Sequence, residues 1–127
     1  MKTPNELKYS KTHEWIKETE DGTYLIGITD YAQDKLGSLV YINLPAADDE
    51  LNIGEAFCDV ESVKADSDVN APVAGTIVEV NEELEDAPEK LNEDPYGAWI
   101  CRAEVTALDE ELMDAEAYIA FCEKEDA

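Results

Sequence analysis

The sequence predicts a mainly β domain, a small sandwich or barrel of short strands with two helices, and three observations carry that prediction. Apolar residues recur at every second position in short stretches along most of the chain, the period of a half-buried strand. Glycine, proline and an Asp-Gly pair punctuate those stretches. Only the C-terminal segment changes to a spacing of three and four. At 127 residues and 14.1 kDa, one domain spanning 1–127 is expected. A chain of this mass folds from about 20,000 Å² of surface to roughly 6,700 Å², enough to bury a core.

The elements follow in order. Residues 14–18 are extended, and Asp21-Gly22 turns the chain into a strand over 23–29, with Tyr24, Ile26 and Ile28 on one face. Asp30 is positioned to cap a short helix over 31–36, stopped by Gly37. A strand over 39–44 places Val40, Ile42 and Leu44 together, and Pro45 ends it. After Gly54, Ala56, Cys58 and Val60 alternate with Glu55, Asp59 and Glu61. A break at Lys64 leads to an extended piece over 69–71, where Pro72 keeps Ala71 extended. Gly75 permits a turn, and 76–80 form another strand. Residues 79–94 hold eight acids and one base, the composition of a solvated loop. Trp99, Cys101, Ala103 and Val105 share a face of the next strand. Leu108, Leu112, Ala115, Ile119 and Cys122 mark the stripe of a helix over about 109–124, with Asp109, Glu110 and Glu111 in its first turn.

Charge narrows the function. Against nine bases stand 32 acids, a net charge of −23. Such a surface repels phosphate backbones and anionic lipid, so neither nucleic acid nor membrane is an expected partner. No apolar run is long enough to span a bilayer, and residues 1–9 lack the pattern of a signal or transit peptide. Cys58, Cys101 and Cys122 are an odd set without close spacing and read as small apolar residues in a reducing compartment. A bacterial cytoplasm is the expected location, or the mitochondrial matrix in a eukaryote.

Catalytic signatures are missing from the sequence. The single histidine, His13, sits beside no nucleophile motif and reads as structural. One histidine and three scattered cysteines give no zinc spacing, and Asp48-Asp49-Glu50 lacks the spacing and glycine of an EF-hand loop. There is no phosphate-binding glycine loop. An enzyme activity is not expected, nor is a metal.

The informative segment is Val60-Glu61-Ser62-Val63-Lys64-Ala65-Asp66-Ser67-Asp68. A lone lysine divides two strand patterns, with Gly54 ten residues before it and Gly75 eleven after it. Two strands of near-equal length meeting there present one ammonium at the tip of a protruding hairpin, over about 54–81. A lysine on its flexible stem is the usual acceptor for an amide-forming modification, although ordinary turn lysines are common.

These residues resemble the H proteins of the glycine cleavage system. The matching segments are Leu7-Lys8-Tyr9 with His13-Glu14-Trp15, Gly27-Ile28-Thr29-Asp30 with Ala32-Gln33, and Glu61-Ser62-Val63-Lys64-Ala65. Further matches are Ala71-Pro72-Val73 with Gly75, Asn92 to Gly97 with Trp99, and Ala117-Tyr118 with Phe121-Cys122-Glu123. They cover nearly the whole chain in order. The resemblance implies a lipoyl/biotinyl-type β-sandwich, a hybrid barrel-sandwich, with a short helix after the second strand and a C-terminal helix. It implies lipoate amide-linked to Lys64. Val63 and Ala65 stand where biotin carriers place methionine, which favours lipoate.

The implied role is a shuttle, a tethered substrate that gains from effective concentration. A pyridoxal-phosphate glycine decarboxylase loads an aminomethyl group, and a tetrahydrofolate-dependent aminomethyltransferase accepts the one-carbon unit. An FAD-dependent dihydrolipoamide dehydrogenase reoxidises the dithiol, and a lipoyl ligase or transferase attaches the group. The carrier itself is expected to be a monomer. The resemblance also implies a cleft for the loaded arm, with Thr12, Glu14 and Asp68 at the matching positions. Thr12 stands where the family has serine, and Lys35 where a histidine is common in the short helix. Two other readings use the same residues: a relay that donates lipoyl or octanoyl groups to other proteins, and an unmodified acidic interaction module.

Overall fold

The computed structural model describes residues 1–126. Nine strands run β1 (Lys8–Tyr9), β2 (Glu14–Glu18), β3 (Tyr24–Ile28), β4 (Leu39–Asn43), β5 (Glu50–Leu51), β6 (Ala56–Ser62), β7 (Asp66–Asn70), β8 (Val73–Val80) and β9 (Cys101–Leu108). Four helices accompany them: α1 (Asp30–Leu36), α2 (Glu83–Asp86), α3 (Lys90–Glu93) and α4 (Ala115–Asp126). The strands form a six-stranded sheet ordered β1-β2-β3-β9-β8-β5 and a three-stranded sheet ordered β4-β6-β7, with antiparallel neighbours throughout. The expected mainly β sandwich with two flanking helices is therefore present.

The core lies between the two sheets. Ile26, Ile42, Val60, Val73, Ile77 and Ala103 fill it. A second cluster sits outside the six-stranded sheet under α4, built from Leu7, Tyr9, Trp15, Ala115, Tyr118 and Cys122. The hairpin of β2 and β3 serves both clusters. Trp15 stands opposite Gly27, where a Cβ would come within 2.7 Å of the indole, so only a residue without a side chain leaves room for that ring.

Several expected boundaries move. Thr29, not Asp30, caps α1, its side-chain oxygen accepting the N–H of Ala32. In β4, a bulge between Leu39 and Tyr41 breaks the alternation, so Leu39 and Ile42 are buried while Val40 is 56% exposed. Residues 79–94 are not a solvated loop. They end β8 and fold into α2 and α3, each of which buries one leucine, Leu84 and Leu91.

The C-terminal helix starts at Ala115 rather than 109; Glu110 and Glu111 lie in a turn closed by the Leu112 N–H on the Asp109 carbonyl instead. Its buried face is Ala115, Tyr118 and Cys122, whereas Ile119 is exposed. Aromatic packing sets that rotation. The Tyr118 ring stacks on Tyr9 at 4.7 Å between centroids, and its hydroxyl lies 2.7 Å from both Thr29 Oγ1 and His13 Nδ1. His13 also reaches Glu125 and stacks on Tyr31, which makes it a structural residue. Cys58, Cys101 and Cys122 are all buried free thiols.

Candidate lipoyl-attachment site

Strands β6 and β7 form a hairpin with Asp59 opposite Asp68 and Glu61 opposite Asp66. This hairpin is shorter than the expected 54–81. Its far strand ends at Asn70, and Gly75 belongs to β8 in the other sheet, paired with Val105. Gly54 does precede the near strand, in the left-handed region at φ 85°.

The tip is a tight turn closed by its own residues. The Ser62 backbone N–H donates to the Ala65 carbonyl at 2.8 Å. The Ser62 hydroxyl donates to the same carbonyl at 2.9 Å and accepts the N–H groups of Lys64 and Ala65 at 3.3 and 3.0 Å. Side-chain bonding of this kind fixes a turn without help from the sheet ladder. Lys64 is therefore held at its backbone while its side chain is exposed. Among the described residues, its ammonium makes no ion pair, although 32 acids surround the molecule. The neighbouring Val63 side chain is 71% exposed.

One side of the tip is seated. Val63 N–H donates to the Ser38 carbonyl at 3.0 Å. Beside it, Gly37 ends α1 with φ 80°, and a Cβ there would stand 3.4 Å from Lys64 Cε. The lysine stem thus runs along a glycine surface, with the Nζ beyond it.

The other candidates divide into two places. Glu14 opens β2 and is only 2% exposed. Its Oε1 accepts from Ser10 Oγ at 2.7 Å and from Thr12 Oγ1, and its Oε2 accepts Asn70 N–H at 3.3 Å. Burial pushes its carboxyl up to about 7, against the lowering effect of those hydrogen bonds. Among the described residues no cation is in salt-bridge range of it. Ser10, Thr12 and Asn70, its three donors, also line a hollow of about 200 Å³ together with Lys11, Gly54, Pro72, Asp109 and Glu111. Asp68 is exposed on β7, and it and Glu14 both act electrostatically on the buried Cys58 thiol, whose pKa burial raises. The structure thus brings Thr12 and Glu14 into contact, while Asp68 lies between them and the tip. At ~3.3 Å per residue, Asp68 is roughly 13 Å along the strand from Lys64, and Asn70 roughly 20 Å.

Lys35, at the position where the resemblance places histidine, points away from this hollow. Its Nζ pairs with Asp126 at 3.0 Å and lies over the Tyr31 ring. A larger hollow of about 670 Å³ lies elsewhere, between β4 and α2, and no lysine lines it. The sequence reading missed Ser10 and Asn70. Both act through short-range polar bonds that leave no periodic signal.

A lysine presented on a closed turn, with a hollow at the far end of the same hairpin rimmed by the donors of a buried carboxyl, suits a carrier better than a catalyst. The profile of the glycine cleavage H-protein family matches residues 7–125. The chain belongs to that family. A probable glycine cleavage system H protein of Pyrococcus abyssi is 58% identical over 118 residues, covering 91% of this chain and 88% of its own. The glycine cleavage system H protein of Lachnoclostridium phytofermentans is 51% identical over 125 residues, 98% of each chain. The crystal structure of a glycine cleavage system H protein from Mycobacterium marinum superposes with a TM-score of 0.86 at 36% identity, covering 98% of this chain and 99% of that one. Proteins of this family shuttle a lipoyl-bound aminomethyl group between the components of the glycine cleavage system. This chain is accordingly a carrier subunit and not itself a catalyst. Among the described residues, no helix is long and apolar enough to cross a membrane.

Proposed function

We propose that Lys64 is the residue that carries the lipoyl group, through an amide on its Nζ. The observation that carries this reading is the Ser62–Ala65 turn, which fixes the Lys64 backbone and leaves the side chain exposed and without an ion pair. The bound lipoyl group supplies a redox-active disulfide that accepts and releases the aminomethyl group. The chain supplies the tether and the shelter.

The shelter is the hollow beside Thr12, with Glu14 beneath it. A buried carboxyl with three hydrogen-bond donors and no counter-ion is matched to an incoming ammonium. Charge-assisted bonds of this kind contribute about 1.5–3 kcal/mol each. Asp68, exposed along the route from the tip, would attract the same cation. Screened from water there, the aminomethyl group keeps its amine until the next protein takes it.

The partners proposed are a pyridoxal-phosphate glycine decarboxylase, a tetrahydrofolate-dependent aminomethyltransferase, an FAD-dependent dihydrolipoamide dehydrogenase and a lipoyl ligase or transferase. A monomer is proposed for the free carrier. Three buried free thiols fit a reducing compartment, the cytoplasm of a bacterium or archaeon.

The test is Lys64→Arg. A guanidinium is not an acyl acceptor for the ligase, and an exposed turn tolerates the exchange within about 0.5 kcal/mol. The variant is expected to fold with an unchanged unfolding midpoint, to take up no lipoate and to carry no aminomethyl group. Retained lipoylation would place the attachment on another lysine.

A further inference from the structure

The seat under the hairpin tip is itself held by one side chain. Asn92 lies in α3 and its amide bonds both α1 and the segment that leaves it. Its Nδ2 donates to the Gly37 carbonyl at 2.9 Å and to Gln33 Oε1 at 3.0 Å. Its Oδ1 accepts the Leu39 N–H at 2.9 Å. Between the two backbone groups it binds sits Ser38, whose carbonyl accepts the Val63 N–H. Gly37 on the same segment faces the Lys64 stem. A continuous chain of bonds thus runs from Asn92 through residues 37–39 to the tip of the hairpin. Leu39 is also held by its pairing with Ser62 across β4 and β6 and by burial in the core. Among the described residues the Gly37 carbonyl is held by Asn92, while the Gly37 N–H is tied back to the Gln33 carbonyl, within α1 and its cap.

We propose that Asn92 is a positioning residue for acylation of Lys64, holding the 37–39 segment so that the lysine turn is presented in one orientation. The proposal rests on the reading of Lys64 as the attachment site. The Asn92 amide makes no hydrogen bond to the lysine. It acts by satisfying the Gly37 carbonyl and the Leu39 N–H, backbone groups that flank Ser38 and that each favour another conformation when left unpaired. The Ser62–Ala65 turn keeps its internal bonds without Asn92. Loss of Asn92 therefore leaves the hairpin and the Leu39–Ser62 pairing intact but loosens the Gly37–Ser38 side of the seat, which an attaching enzyme would meet as a more mobile target.

The experiment compares wild type, Asn92→Ala and Leu84→Ala in the unmodified full chain. Leu84 is a fully buried core residue of α2 with no bond to the 37–39 segment, so its variant serves as a control for general destabilisation. Amide hydrogen exchange of Val63 and Ser62 is read first. Val63 N–H bonds to Ser38, whereas Ser62 N–H bonds within the turn. In Asn92→Ala, Val63 exchange should accelerate at least tenfold relative to Ser62, while Leu84→Ala moves both together. Lipoylation by a purified lipoate ligase with lipoate and ATP is read second. Asn92→Ala should raise KM for the carrier about tenfold with kcat within twofold, and Asn92→Asp, which retains the acceptor for Leu39, should fall between. Equal acceleration of Val63 and Ser62, or a KM change matched by Leu84→Ala, would overturn the proposal. The exchange measurement needs no lipoyl group, so it stands or falls separately from the Lys64 assignment, which the mass of the ligase product decides.

Discussion

The buried carboxyl of Glu14 accepts a hydrogen bond from the backbone N–H of Asn70 at 3.3 Å, joining the start of β2 to the end of the strand that descends from Lys64. That bond couples the two sheets at the base of the hairpin. It also places an ionisable group, raised to about 7, directly beneath the proposed arm hollow.

The raised value has a consequence for stability. A carboxyl whose folded-state value lies above its unfolded one contributes most below the unfolded value, and that contribution is lost as pH rises through about 7. Ionisation of Glu14 without a counter-ion should cost up to about 3 kcal/mol. Glu14→Gln removes the titration. Between pH 5 and pH 8, wild type should lose stability relative to Glu14→Gln, measured as the difference in their urea midpoints. Parallel pH profiles for the two proteins would show that Glu14 stays ionised throughout.

The same group should protect a loaded arm. Glu14→Ala is expected to accept lipoate and aminomethyl normally but to release ammonia roughly ten- to a hundredfold faster on standing, the factor for one lost charge-assisted bond at 1.4 kcal/mol per decade. The assay is spontaneous ammonia release from loaded wild type and loaded variant without the aminomethyltransferase. Identical rates would leave Glu14 a purely structural acid tying β2 to β7.

Salt should act on the hairpin in a defined direction. Asp59 faces Asp68 and Glu61 faces Asp66 across β6 and β7, two like-charge pairs on the element that carries Lys64. With a net charge of −23, the surface calls for a basic rim on any partner. Affinity for the proposed decarboxylase partner is expected to fall as sodium chloride rises from low salt through 0.1 M, where screening sets in beyond roughly 10 Å. Titration by calorimetry at several salt concentrations reads this, and a flat response would remove charge steering from the account.

What the sequence made legible follows from periodicity and turn chemistry. Tyr24, Ile26 and Ile28 alternate cleanly, and β3 lies where that pattern places it. Lys64 stands out because two alternating runs stop on either side of it, and the turn is there. Bulges were invisible: at β4 one extra residue turned Val40 outward, and no local composition marks it. The acidic stretch over 79–94 hid α2 and α3 because their buried faces are single residues, Leu84 and Leu91. The C-terminal stripe holds at Ala115 and Cys122 but fails at Ile119, because Tyr118 is buried instead through ring stacking on Tyr9 and hydroxyl bonds, which an apolar count underrates. Thr12 and Glu14 were found by resemblance, but their contact with each other and with Ser10 and Asn70 depends on distant segments meeting.

The central claim is that Lys64 bears the lipoyl group, and the mass of the native protein tests it most directly. The carrier purified from its own cells, digested and mapped, should show one lipoyl increment on the peptide containing Lys64 and none on any other lysine. A native protein with Lys64 unmodified, or with the increment on a different lysine, would contradict the account.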